Sequence, residues 1–182
     1  MPVINMIQKL SISLILLLVF NLPVNAQEKI EWMSLEQAIK KSGKQPKKIF
    51  MDMYTDWCGW CKKMDQTTFS DPVIAAYMNK HYYAVKFDAE GQDSVVFNKQ
   101  TYAQQKPGQK RSPHNLAIYL LNGKMSYPSY VFLNSDQSVI TAVPGYYTAD
   151  QFEPLLHFFA TDAWKNTKWV DFQKSFVGKV KK

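Results

Sequence analysis

Residues Lys48 to Tyr54 read "KIFMDMY", and four positions after them the chain sets Cys58, followed by Cys61. A nearly continuous apolar run of that length predicts a central strand covered on both faces. Thr55, Asp56 and Trp57 form the link, and "KKMDQTTF" after the second cysteine can continue as a helix. Strand, short link and helix would put Cys58 at a helix N-terminus. Unpaired backbone N–H groups and the helix dipole favour a negative charge there. Both effects lower a thiol pKa and raise the thiolate fraction. Cys61 lies almost one turn further on.

These are the only two cysteines of the 182-residue sequence. A bridge between them closes a tiny loop, which by loop-closure entropy stabilises a fold little. The pair is therefore poorly placed to be a structural staple and points to redox chemistry, with Cys58 as attacking thiolate and Cys61 as resolving thiol. Half of a zinc site is the first alternative. Zinc takes four ligands, and His81, His114 and His157 show no ligand spacing, so no metal is expected. Covalent haem attachment needs a histidine after the second cysteine, where Lys62 stands. An inert pair on a binding scaffold is the remaining alternative. No cofactor is expected beyond a redox-active Cys58–Cys61 disulfide.

Asp52 interrupts the apolar run. In a strand covered on both faces it is buried whichever way it points. A lone buried carboxylate is costly unless it pairs or works, which makes Asp52 the candidate proton acceptor for Cys61. Trp57 reads as packing that shields the thiolate. Trp60, after Gly59, reads as an exposed ring that meets substrate.

The first residues address the compartment. Lys9 and the terminal amine precede the apolar run Leu10 to Phe20, and a small-residue cleavage pattern ends at Ala26. Residues 1–26 are expected to be a signal peptide. An uncleaved anchor is the alternative, although the run is short for a membrane span. The remaining 27–182 suit one domain. The net charge of +7 comes from scattered lysines, which read as a solvated surface and not as a nucleic-acid face.

Ser34-Leu-Glu-Gln37 is a capping box that opens a helix closing near Gly43. Asp71-Pro72 opens another helix. "HYYAVKFD", His81 to Asp88, reads as a second strand. A helix is expected around Val95 to Ala103, and "QQKPGQKRSPHN" as a polar loop. Leu116 to Leu121 is a helical turn. Ser129–Leu133 and Val139–Val143 form a hairpin around "NSDQ". Thr148 caps a last long helix through Phe159, and an aromatic segment from Trp164 to Phe176 ends the chain.

Strand, "WCGWC" helix, strand, helix and hairpin, in that order, resemble the thioredoxin superfamily. Asp52, six residues before Cys58, matches that family's buried aspartate, Pro128 its cis-proline, and Gly145 a glycine after its last strand. "MDMYTDWCGWCKKMDQTTFSDPVI" is similar to the C-terminal thioredoxin-like domain of the disulfide reductase DsbD. The resemblance implies a thioredoxin-like α/β fold, a central mixed sheet flanked by helices, with an insertion at about 90–114 and a C-terminal extension at about 161–182. It implies that Tyr127 and Pro128 face the cysteines and bind substrate together with Trp57, Gly59 and Trp60. The family's lysine partner for the aspartate is expected to be replaced by Ala84. The segment 90–114 is too polar to extend the core and is expected at the surface.

The expected function is that of an exported thiol-disulfide oxidoreductase, mainly a disulfide reductase, periplasmic if the source is a Gram-negative bacterium. Its partners would be disulfide-containing client proteins and an upstream donor such as a membrane thiol reductase. It would act as a monomer. A disulfide oxidase or isomerase and a non-enzymatic binding module are the alternatives.

Overall fold

Parallel pairing of three strands and antiparallel pairing of two more give a five-stranded sheet, in the spatial order Trp32–Met33, Tyr82–Asp88, Lys48–Tyr54, Ser129–Leu133 and Val139–Pro144. The computed structural model describes residues 28–181. The expected signal peptide lies outside the described residues. The elements are β1 (Trp32–Met33), α1 (Leu35–Lys44), β2 (Lys48–Tyr54), α2 (Gly59–Gln66), α3 (Pro72–His81), β3 (Tyr82–Asp88), β4 (Val95–Phe97), β5 (Gln100–Tyr102), α4 (Asn115–Leu120), β6 (Ser129–Leu133), β7 (Val139–Pro144), α5 (Ala149–Ala160) and α6 (Trp169–Ser175). No helix among the described residues is long and apolar enough to cross a membrane.

Local signals set most boundaries. Ser34 accepts the Gln37 amide and Gln37 returns a bond to the Ser34 amide, so the capping box forms in full. Asp71 caps α3 through the amides of Val73 and Ile74, with Pro72 at the first helical position, where its missing N–H costs nothing. His81 ends α3, and β3 begins one residue later than expected.

Strand alternation divides the core in two. Ile49, Met51 and Met53 of β2 face the layer of α1 and α4, with Leu116 and Leu120. Phe50 faces the other layer, with Met64 of α2, Phe69, Ile74 of α3 and Phe152 of α5. Asp52 has the parity of Phe50. It therefore points towards the layer that carries the cysteine helix.

The segment 95–103 corrects the expectation of a helix. Val95↔Tyr102 and Phe97↔Gln100 pair as an antiparallel hairpin. Asn98 (φ 48°) and Lys99 (φ 65°) both take left-handed backbone, the conformation that a two-residue hairpin turn of this type demands. "VVF" is a β-branched and aromatic run, and the turn chemistry of Asn98 overrode the helical reading. The expectation that the insertion is too polar to extend the core is also corrected, although most of residues 98–111 are exposed. Phe97 is fully buried in the α1/α4 layer, with Val95 and Tyr102 packed against that layer. Lys99→Gly should stabilise the protein by about 1 kcal/mol, because glycine has no penalty at positive φ. Urea denaturation reads the sign directly, since the same change inside a helix would destabilise by a similar amount.

The C-terminal extension forms a 3-10 turn, Ala163–Lys165, and α6. Phe158 of α5 packs against Trp169 and Phe172. Beyond α6, the buried Glu153 carboxylate accepts the amides of Lys179 and Val180 and ties down the tail.

Candidate active site

Cys58 is the N-cap of α2, and its Sγ accepts the backbone N–H of Cys61 at 3.0 Å. The two are joined as a disulfide, with Cα atoms 5.3 Å apart. The Cys58 amide itself bonds to the Thr55 carbonyl, which makes the link from β2 into α2 a tight turn. Both sulfurs are covered, since Cys58 is 4 % and Cys61 2 % exposed. A difference in reactivity must therefore come from electrostatics more than from access. In the reduced protein Cys58 should alkylate with iodoacetamide at least about ten times faster than Cys61 at neutral pH, because its sulfur faces the helix amides. Mass spectrometry of the singly modified protein reads which thiol reacted.

Asp52 is 1 % exposed and is not alone. Its Oδ2 accepts a hydrogen bond from Lys86 Nζ at 2.6 Å. Sheet register explains the pairing: β2 and β3 run parallel with Asp52 opposite Lys86, whereas Ala84 stands opposite Phe50. The expected replacement of the lysine partner by Ala84 is corrected accordingly. Lys86 also donates to Asp65, on the exposed side of α2. The rings of Trp32, Tyr54 and Phe69 surround its ammonium at 5.1 to 5.5 Å.

Two opposing effects set the Asp52 carboxyl. Burial raises its pKa and the Lys86 cation lowers it, and burial wins, lifting it from 3.8 to about 6. Burial alone would push Lys86 down, but Asp52 and Asp65 together hold it above its ordinary value. Asp52 Oδ1 has no hydrogen-bond partner among the described residues, so it keeps acceptor capacity near neutrality. Tyr130, opposite Asp52 on β6, is held far above the ordinary phenol range by burial and by the Asp52 charge.

The Tyr127–Pro128 peptide bond is cis, and the Pro128 carbonyl accepts the Gly145 amide at 2.9 Å. Gly145 has φ 110°, which suits a residue without Cβ. Tyr127 meets Trp57 edge-on at 6.0 Å between ring centroids, so the proline loop lies beside the cysteine loop. Trp57 and Trp60 are 53 % and 61 % exposed. Trp60 leans on Tyr146 at 5.1 Å, on the Gly145 side of the site. Gly59 has open space where a side chain would begin. Among the described residues no group of three or more His, Cys, Asp or Glu could hold a metal ion. His114 instead caps α4 through the Leu116 amide, and His81 and His157 stack on the two sides of Tyr77.

Lys86, Asp65, Glu90 and Arg111 join this neighbourhood without having been singled out in the sequence. Glu90 accepts the Trp57 indole N–H with both carboxylate oxygens, at 3.0 and 3.1 Å, and the Arg111 guanidinium lies 5.6 Å from the Trp57 ring centroid. For Lys86 no local signal was available, because its pairing with Asp52 depends on the register of β2 against β3.

A family model described as a thioredoxin-like domain matches residues 35–160. The chain belongs to the thioredoxin-like domain family. This thioredoxin-like chain carries the two-thiol pair of a thiol-disulfide oxidoreductase. It is 35 % identical over 51 residues to the thiol:disulfide interchange protein DsbD of Vibrio vulnificus, a match spanning 28 % of this chain and 8 % of that protein. The chain thus spans less than a tenth of the length of that relative. Solved structures share the fold. A DsbH oxidoreductase superposes with a TM-score of 0.50 at 16 % identity, covering 85 % of this chain and 91 % of the other. A thioredoxin from Thermus thermophilus gives 0.52 at 14 % identity, covering 71 % and 85 %.

Proposed function

We propose that this thioredoxin-like chain is an exported reductase of protein disulfides. The observation that carries the reading is the Cys58–Cys61 pair at the start of α2, in front of a buried Asp52 whose carboxyl titrates near neutrality. Cys58 thiolate attacks one sulfur of a client disulfide, a mixed disulfide forms, and the second client sulfur leaves as a thiolate. Cys61 gives its proton to Asp52 and attacks Cys58. The client leaves with both sulfurs as thiols, and the protein keeps the Cys58–Cys61 disulfide. Two electrons pass to the client, and an upstream thiol donor restores the pair.

Each neighbouring group has a part in this scheme. Lys86 keeps Asp52 from rising so far that it stays protonated at neutral pH. Tyr127 and Pro128 offer backbone to an extended client segment in the manner of strand addition. Trp57, Gly59 and Trp60 form the contact surface around Cys58. No cofactor beyond the cysteine pair and no metal enters the scheme, and the chain acts as a monomer. The apolar run at residues 10–20 supports export, to the periplasm in a Gram-negative source.

The direction of transfer follows from charge. A strong oxidant stabilises its reduced thiolate with cationic donors beside it, and Gly59-Trp60 between the cysteines brings none. Reduced protein mixed with disulfide-bonded insulin should release free B chain, seen as turbidity, with one protein disulfide formed for each insulin disulfide lost. Oxidised protein that instead forms disulfides in a dithiol peptide while leaving insulin intact would reverse the assignment.

A further inference from the structure

A groove of about 690 Å³ joins the cysteine site to the C-terminal extension. Its near end is shared with the site. Gly145 lines it, and the Gly145 amide is the one bonded to the Pro128 carbonyl. Tyr146 lines it too, and the same ring leans on the exposed Trp60 between the cysteines. The far end is built by α6. Trp169 lines it, packed on Phe158 of α5 and on Phe172, and Gln173 stands exposed one turn further on. Leu155 and Phe158 are the contribution of α5, together with Phe159.

Among the described residues no charged side chain lines this groove, and its glutamines, tyrosines and tryptophan are neutral. A large apolar side chain entering it exchanges water for ring and aliphatic surface, which is favourable. A lysine or glutamate entering it would lose water and meet no opposite charge. The groove also opens at the edge of the sheet. β7 pairs with β6 on one side and, among the described residues, with no strand on the other, and Val143 and Pro144 at its end line the groove. A segment that leaves the cysteine site across Tyr146 therefore meets an open sheet edge and then the indole of Trp169.

We infer that the groove is a docking subsite for client polypeptide, which takes a large apolar side chain some residues away from the cysteine under attack. Continuity names the occupant: Gly145 and Tyr146 belong at once to the surface around Cys58 and to the groove. A chain whose cysteine lies at Cys58 is delivered to the near end, whereas a small disulfide does not extend to α6. The C-terminal extension thus selects clients without taking part in the sulfur chemistry. This inference rests on the reading of Cys58 as the thiol that forms the mixed disulfide.

Disulfide-bridged peptides of glycine, serine and alanine test it. Each carries a single phenylalanine, walked position by position away from the target cysteine on either side, and a reference peptide carries none. The rate of mixed-disulfide formation below saturation is measured with the reduced Cys61→Ser protein, the full chain otherwise intact, and divided by that of the reference. One position, or neighbouring positions on one face of the extended peptide, should gain about tenfold, as partial burial of one phenyl ring supplies. Lysine or glutamate there should gain nothing. Gln173→Trp, which fills the groove from its rim, and Trp169→Ala, which removes a wall, should both bring the ratio close to one. Benzoylphenylalanine at the favoured position, irradiated in the mixed disulfide, should crosslink to α5 or α6; this and Gln173→Trp decide the matter should Trp169→Ala fail to fold. A flat scan, a gain that survives Gln173→Trp, or crosslinks confined to Trp57 and Tyr127 would overturn the inference. Self-association of the wild-type chain in sedimentation, lost in Gln173→Trp, would give the groove to a second copy and overturn it too. If no peptide forms a mixed disulfide, the reference included, the reading of Cys58 itself fails and the inference falls with it.

Discussion

Cys61→Ser should convert a protein that turns over into one that holds its client. The first attack by Cys58 needs only the helix-start thiolate and should proceed within a few-fold of the wild-type rate. The second attack has no thiol to make it. Turnover should fall at least about ten-thousandfold, equivalent to about 5 kcal/mol of barrier. Non-reducing electrophoresis after mixing with a disulfide-bonded client should show a stable mixed disulfide through Cys58. Isolating that species from the native source would also identify the client. Cys58→Ser should show neither the adduct nor turnover. An adduct through Cys61 would exchange the two roles.

The second large effect belongs to Asp52. Asp52→Asn should slow release from the mixed disulfide about a hundredfold at pH 7.5 while leaving first attack little changed, since a placed general base contributes a factor of that order. The pH profile carries the signature. The folded carboxyl titrates at about 6, so the wild-type advantage should shrink as the pH falls through 6, to about tenfold at pH 5 and about twofold at pH 4.

Stability moves with the same proton. The folded pKa of about 6 lies above the ordinary carboxyl value of 3.8. The native state therefore binds more protons than the unfolded chain between those values, and stability declines as pH rises through that window. The shift corresponds to about 3 kcal/mol, present below pH 4 and lost above pH 6. Urea midpoints from pH 4 to 8 should fall accordingly in wild type and change less in Asp52→Asn. Lys86 keeps a carboxylate partner in the variant through Asp65, so the lysine is not left as an uncompensated charge.

Physical chemistry explains which parts of this were legible in the residues. "KIFMDMY" followed at once by "TDWC" fixes a buried strand, a tight turn and a helix start, because apolar run length and capping are local properties. Ser34/Gln37 and Asp71-Pro72 were legible for the same reason. Lys86 was not, because its partner is set by register between β2 and β3, which local signals do not carry. Phe97 ends a short apolar run, "VVF", inside an otherwise polar segment, and only its fixed place in the β4–β5 hairpin sends it into the core. The cis bond at Pro128 came from the family resemblance, since most X–Pro bonds are trans. Arg111 reaches Trp57 from more than fifty positions away in the chain, through a loop whose shape depends on the single amide of Gln104.

The most direct test of the account is the reduction potential of the Cys58–Cys61 pair, measured by equilibrating the full chain in graded mixtures of reduced and oxidised glutathione and trapping the thiols with acid and alkylation. A donor of electrons to client disulfides should settle below about −200 mV, in the range of thioredoxins and glutaredoxins. A value near about −120 mV, that of a strong disulfide-forming oxidant, would contradict the reductase assignment.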